Sequence, residues 1–278
     1  MRYYLACILT LVLSHGLRAQ TLDKFIGAHA VRVDMTNHSK NDSLLQQLSG
    51  YKLVMVGEMH GTQEPAQFVS YLVDQLVANG SDVQLGIEIP EEMVKEFILK
   101  PSAEHLRESD FFKRGFLDGR ANRDWFNVIV KYQSSQKVKL FFYDTESNMN
   151  PDSIMYARVR QKIIDKPTAT TVLLGGNFHN RLIDSRSGKP MGAYFLNDRT
   201  ISNLGKICAI NHQYKYGTMK NSSGQGLQLR VIESAPTYYS EATHFKAYYS
   251  VLPENEYPYS AVLYTEKVTA AEIMNVKE

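Results

Sequence analysis

The chain has 278 residues, 44% hydrophobic and 22% charged, enough apolar material for one large core. Its formal charge of +2 comes without a basic block, so clustered phosphate contacts have no source and nucleic acid is set aside as a partner. Two cysteines allow at most one disulfide, so stability must rest on packing.

The chain opens with Arg2, an apolar stretch from about Tyr3 to Leu13, and a polar run ending in small Ala19. That order reads as a secretory signal peptide over residues 1–19, cut after Ala19, followed by one domain over 20–278. The expected localisation is periplasmic or secreted. The apolar run is shorter than the roughly 20 residues of a bilayer-spanning helix, and no later segment is long and apolar enough, so no stable membrane insertion is expected. Cys7 precedes most of the apolar core, the wrong side for lipid attachment. Cleavage removes Arg2 and Arg18 and no acid, which brings the 31 basic residues level with the 29 acidic ones. Only Cys208 then remains, in an apolar stretch that makes it a buried packing residue.

From residue 50 to 176 two periods alternate. Leu53–Val56, Val83–Ile89, Val138–Tyr143 and Thr170–Leu174 are short, apolar and rich in β-branched and aromatic residues, and read as buried strands. Between them, Pro65, Phe68, Leu72 and Leu76 with Asn79-Gly80 as a stop predict one amphipathic helix. Trp125, Ile129 and Tyr132 or Gln133 predict a second. Asn150-Pro151 caps a third, with Met155, Val159 and Ile163 on its face. The alternation predicts an α/β fold: a single domain with a mainly parallel or mixed sheet flanked by helices on both faces. Segment 90–122, with Glu91, Glu92, Arg107, Lys113, Arg114, Arg120 and Arg123, reads as a helical excursion, either a solvated surface or a lid. The runs Ile207–Ile210, Leu227–Ile232 and Ala261–Tyr264 read as strands completing the same sheet.

Open parallel sheets bind ligands beyond the carboxyl ends of their strands. Here those ends read Gly57-Glu58-Met59-His60-Gly61, then Glu88, then Asp144 with Glu146, then Gly175-Gly176-Asn177-Phe178-His179. Each presents an acid or an imidazole, and two are flanked by glycines, which permit close approach and positive φ. A capping or turn role accounts for any one of them; four on one rim predict a site. His60 and His179 carry most weight, because packing after a buried strand does not require imidazole. His29, His38, His105, His212 and His244 lack this placement, though His244 is a possible rim contact. No Gly-x-Ser-x-Gly elbow, His-Glu-x-x-His pair, phosphate loop or Cys-x-x-Cys pair is present. The cluster therefore suits a general base acting on water, with a carboxylate fixing the imidazole tautomer.

Gly57-Glu58-Met59-His60-Gly61-Thr62-Gln63-Glu64 resembles the Gly-Glu-…-His-Gly-Thr-x-Glu signature of the erythromycin esterase superfamily, which includes ChaN-like haem-binding proteins and, more distantly, Tiki/TraB-type proteins. The resemblance continues through Gly86-Ile87-Glu88, Phe142-Tyr143-Asp144, Gly175–His179, Met191-Gly192, the Tyr216-Gly217 turn and a C-terminal stretch at Tyr259–Val268, spanning about residues 45–270. It implies that His60 is the water-activating base and Glu58 its acidic neighbour. It further implies that Glu88 is a second site carboxylate, and that His179 protonates the leaving alkoxide or stabilises the oxyanion. Glu64, Asp144 and Asn177 are expected substrate contacts, with a helix-start role equally open for Glu64. Two departures stand out: only Met59 separates Glu58 from His60, as in the ChaN-like branch, and Pro151-Asp152 stands where an Arg-Asp pair is expected.

The leading expectation is an exported, esterase-type hydrolase of a small molecule that requires no cofactor. One alternative is a hydrolase holding a divalent metal, zinc or manganese, on Glu58, His60, Glu88 and His179. The other is a ChaN-like haem-binding protein, with Tyr214, Tyr216, Tyr238, Tyr239, Tyr248 and Tyr249 as possible axial ligands.

Overall fold

A computed structural model describes residues 30–37, 39–114, 118–186, 188–222, 226–234, 247–251 and 258–274. Residues 1–19, the expected signal peptide, lie outside them, as do His29, His38, Tyr238, Tyr239 and His244. In chain order the strands are β1 (Val31–Val33), β2 (Tyr51–Glu58), β3 (Val83–Pro90), β4 (Val138–Asp144), β5 (Thr170–Gly176), β6 (Lys206–Ser222), β7 (Leu227–Glu233), β8 (Ala247–Val251) and β9 (Ala261–Val268). The helices are α1 (Asp42–Gln47), α2 (Glu64–Ala78), α3 (Lys95–Leu99), α4 (Ala103–Arg107), α5 (Asp110–Arg114), α6 (Arg123–Tyr132), α7 (Pro151–Asp165), α8 (Met191–Leu196) and α9 (Arg199–Ser202). None of the described helices is long and apolar enough to cross a membrane.

All nine described strands join one mixed sheet in the order β1-β8-β9-β6-β2-β5-β3-β4, with β7 paired on the far half of β6. From β4 to β9 the neighbours are parallel; β8, β1 and β7 add antiparallel edges. The expected mainly parallel α/β sheet in a single domain is what forms. The central strands are apolar almost without a break because helices cover both faces, so neither set of alternate side chains meets water. On one face Val54, Val56, Leu85 and Ile87 pack with Phe68 and Leu72 of α2 and Trp125 and Ile129 of α6. On the other Leu53, Met55, Leu173 and Tyr143 pack with Met155, Val159 and Ile163 of α7 and Phe195 of α8. The expected helix faces are these residues, and Cys208 is fully buried.

Helix α2 begins with Pro65 in its first turn and stops at Asn79-Gly80, where Gly80 takes φ +90°. Asn122 caps α6 by accepting from the Trp125 N–H at 2.9 Å. Asn150 departs from expectation. It adopts φ 50°, ψ 59° before α7, and its carbonyl rather than its side chain takes up the first N–H groups of the helix. The 90–122 excursion keeps Glu91, Glu92, Arg107 and Lys113 exposed, as a solvated surface would, but its apolar residues anchor it to the core. Phe97, Leu106, Phe111 and Phe112 are buried in the core, and its end delivers Arg120, 8% exposed, to the sheet rim.

The topology gathers the chemistry. Because β5 inserts between β2 and β3, the four strands whose carboxyl-end segments carry Asp144, Glu88, Gly175-Gly176 and Glu58 are consecutive across the sheet as β4-β3-β5-β2. Strand β6 follows β2 only as far as Ile210 and then continues along β9 and β7, leaving a gap beyond the ends of β2 and β5.

Candidate active site

Two carboxylate–imidazole pairs face each other across Glu88. On the α2/α6 face, Glu58 Oε1 lies 2.6 Å from His60 Nδ1, and Glu58 Oε2 accepts from the Trp125 indole N–H at 2.9 Å. On the α7/α8 face, Asp152 Oδ1 lies 2.8 Å from His179 Nδ1 and also accepts from the Met191 N–H at 2.8 Å. Both imidazoles turn Nε2 inward, each 3.8 Å from the same oxygen, Glu88 Oε1. Glu58 and Glu88 are buried and Asp152 is partly exposed, while His60 and His179 keep 20% and 28% of their side chains exposed, so the ring edges remain open to a ligand.

Arg120 neutralises the centre. Its Nη1 lies 3.0 Å from Glu88 Oε1, 2.9 Å from the Glu88 carbonyl and 2.7 Å from Asp144 Oδ2; its Nε donates to Asp118 Oδ2 at 2.8 Å. Glu88 Oε2 accepts from the Gly176 N–H at 2.5 Å. Three carboxylates around one buried guanidinium form a charged network whose members depend on one another.

The rim glycines are there for closeness rather than for unusual backbone angles; of the four at the two strand ends only Gly61 has positive φ. A Cβ on Gly175 would lie 2.3 Å from both Glu88 Oε2 and Tyr143 Oη, and one on Gly57 would lie 2.2 Å from Asn177 Oδ1. A Cβ on Gly176 would lie 3.0 Å from His60 Nε2 and 3.6 Å from His179 Cδ2, behind both rings. Gly176→Ala is therefore expected to push His60 by a few tenths of an ångström. Turnover should fall about tenfold while stability changes by less than about 1 kcal/mol, measured by steady-state kinetics beside denaturant unfolding.

Both imidazoles are held above their ordinary value. Burial disfavours the His179 imidazolium, but the charges of Glu88 and Asp152 outweigh it and lift the group to about 9. Burial likewise opposes the charged form of His60. Its hydrogen bond to Glu58, with the charges of Glu58 and Glu88, holds it above the usual 6.5. Burial raises Glu58. Glu88 is also penalised by burial, yet the surrounding charges of His179, Arg120 and His60 bring it below the ordinary carboxylate range. Asp144 is raised, by burial and then by the charge of Glu88.

The sequence-expected residues fall into two groups. Glu58, His60, Glu88, His179 and Asp144 come together, Asp144 through Arg120. Asn177 sits beside them but is turned toward β6: its N–H donates to the Glu58 carbonyl at 3.1 Å, and its Oδ1 accepts from the His212 N–H at 3.2 Å across the gap left by β6. Glu64 is buried under the C-terminal segment, its Oε1 accepting from the Thr269 N–H at 2.8 Å. Arg120, Asp152 and Trp125 join the site without having been singled out for it.

Glu58 meets His60 at Nδ1, whereas Glu88 faces Nε2, so those three residues do not converge on one point. Among the described residues no three His, Cys, Asp or Glu side chains are arranged to hold a metal ion. Tyr214 and Tyr216 lie on β6, Tyr214 with its ring centre 6.3 Å from that of His212.

No family model matches the sequence, and no curated protein matches it. Solved structures do share the fold. A protein from Bacillus cereus superposes with a TM-score of 0.59 at 11% identity, over 92% of this chain and 99% of that one. An erythromycin esterase mutant in its open conformation superposes with a TM-score of 0.62 at 11% identity, over 90% of this chain and 99% of that one. The chain thus has the fold of an erythromycin esterase, built around its own Glu58–His60 and Asp152–His179 pairs.

Proposed function

We propose that the chain is an esterase-type hydrolase of small molecules, exported by way of its first 19 residues, in which His60 activates water for attack on an ester or lactone carbonyl. The observation that carries this reading is the pair of inward-facing Nε2 atoms on either side of Glu88, each backed by a carboxylate at Nδ1. Such backing fixes the tautomer, and it lets one ring accept a proton while the other gives one. The likeness in fold to an erythromycin esterase supports the same class of reaction.

In this mechanism the water oxygen bonds to the carbonyl carbon as its proton passes to His60 Nε2, and Glu58 stabilises the imidazolium that forms. Collapse of the tetrahedral intermediate breaks the carbon–oxygen bond to the leaving group, which takes the proton from His179 Nε2. Solvent exchange then returns His60 to neutral and His179 to its cation. Glu88, held by Arg120 and the Gly176 N–H, stays ionised between the rings and favours imidazolium on both. That placement suits a neutral substrate, since an anionic one would meet the carboxylate.

The pH profile tests this assignment. His60 works only when deprotonated, so kcat should rise with pH through a midpoint above 6.5. His179 works only when protonated, so kcat should fall again near pH 9. Titration of hydrolysis from pH 5 to 10 checks both limbs. A profile that keeps rising through pH 10 would remove His179 as the acid.

A further inference from the structure

The last described stretch, residues 269–274, crosses the loops that carry His60 and Arg120. The Gly61 carbonyl accepts from the Ala271 N–H at 2.8 Å and from the Lys220 N–H at 3.0 Å. Gln63 donates its N–H to the Thr269 carbonyl at 3.1 Å and its Nε2 to the Ala270 carbonyl at 2.9 Å. Farther on, the Arg123 N–H donates to the Glu272 carbonyl at 2.8 Å, and the Met274 N–H to the Ala121 carbonyl at 3.0 Å. The two loops also touch directly. Gly61 (φ +89°) and Gly119 (φ +88°) are so close that a Cβ on Gly119 would lie 2.7 Å from Gly61 Cα. One strap therefore holds both loops, backbone against backbone.

Glu64, four residues after His60, is the side chain that grips the strap. It is 1% exposed; Oε1 accepts from the Thr269 N–H, and Oε2 has no partner among the described residues. Burial pushes its carboxyl up to about 7. A helix-start role does not explain that burial, because an acid at a helix N-terminus gains from the dipole while exposed. The reaction above has no use for it either, since its bonded oxygen points to the strap. A buried acid kept at such a desolvation penalty points to a geometric task.

We infer that Glu64 is a positioning residue which, acting through Thr269, anchors the 269–274 strap across the His60 and Arg120 loops and so sets His60 against Glu88. The inference rests on the reading of His60 as the working base, but the strap itself is observable without turnover. Glu64→Ala loses the acceptor, Glu64→Gln keeps a carbonyl oxygen at the same reach, and Glu64→Asp withdraws the acid by one methylene.

Amide exchange at Ala271 and Met274 reads the strap, and the low-field Nδ1–H resonance of His60 reads the Glu58 pair; amides of β5 serve as the folding control. Glu64→Ala should speed strap exchange about tenfold, broaden the His60 resonance and lower kcat about tenfold with KM nearly unchanged. Glu64→Gln should restore all of these. If Glu64→Ala does not fold, Glu64→Asp should show the same changes in weaker form. Wild-type strap exchange and a wild-type His60 resonance in Glu64→Ala, or in Glu64→Asp where that variant stands in, would overturn the inference, as would Glu64→Gln as damaged as Glu64→Ala. Neither magnetic readout depends on hydrolysis, so failure here is distinct from failure to find an ester substrate.

Discussion

Arg120→Met is expected to destabilise the fold by about 3–5 kcal/mol at neutral pH, the usual consequence of removing one partner from a buried charge network. The guanidinium is 8% exposed and lies within 3.0 Å of both Glu88 Oε1 and Asp144 Oδ2, so its loss strands two buried carboxylates. The pH dependence should also change. In the wild type Glu88 is held below its ordinary value; its contribution is complete above the unfolded-state value and is lost as pH falls through the lower folded one. Without Arg120 both carboxyls rise, Asp144 from a value burial already raises and Glu88 from one that His179, His60 and the Gly176 N–H still lower, so the folded state takes up protons more readily. The deficit is then largest at neutral pH and narrows as the solution is acidified toward pH 5. Denaturant unfolding of both proteins at pH 7 and pH 5 checks this. A deficit that stayed constant or widened on acidification would mean that Arg120 is not the counter-charge of this network.

His60→Ala is expected to lower kcat by about a thousandfold, within the range contributed by a positioned general base, while KM changes little. The substitution also removes the Nδ1 partner from buried Glu58, leaving it the Trp125 indole N–H, so a stability loss of about 1–3 kcal/mol accompanies it. Imidazole added to the variant separates the two effects. It fits the vacated volume and returns a base to the water, and should restore part of the lost rate without restoring stability by the same factor. A rate unresponsive to imidazole in folded variant protein would argue that His60 shapes the site rather than accepting the proton.

Much of the architecture is legible in the chain because parallel strands buried on both faces leave a plain mark. Leu53–Val56 and Val172–Leu174 are apolar at successive positions, and each is followed by glycine. The rim position of Glu58, Glu88, Asp144 and His179 follows from strand ends alone. The counter-charges do not, because they come from segments whose local pattern speaks for something else. Arg120 closes a run of charged residues that looks solvated, and only the burial of Phe111 and Phe112 turns it inward. Asp152 sits in the first turn of α7, where an acid needs no further reason, yet it backs His179. Trp125 has the spacing of a core residue and is one; its indole N–H serves Glu58 besides. Three or more carboxylates meeting at one rim required a buried cation, and that demand was the signal from which Arg120 could have been sought. Asn177 shows the opposite limit. One residue past the end of β5, its side chain is drawn to His212 by the departure of β6 from β2, and that departure depends on a strand far longer than Ile207–Ile210.

The most direct test of a water-activating Glu/His site is hydrolysis itself. Purified protein of measured metal content is assayed against a panel of carboxylic esters and lactones, with and without EDTA. The predicted result is turnover by protein holding far less than one metal per chain, unchanged by the chelator. Folded protein that hydrolyses no member of the panel would contradict the account, as would turnover abolished by EDTA and restored by zinc or manganese.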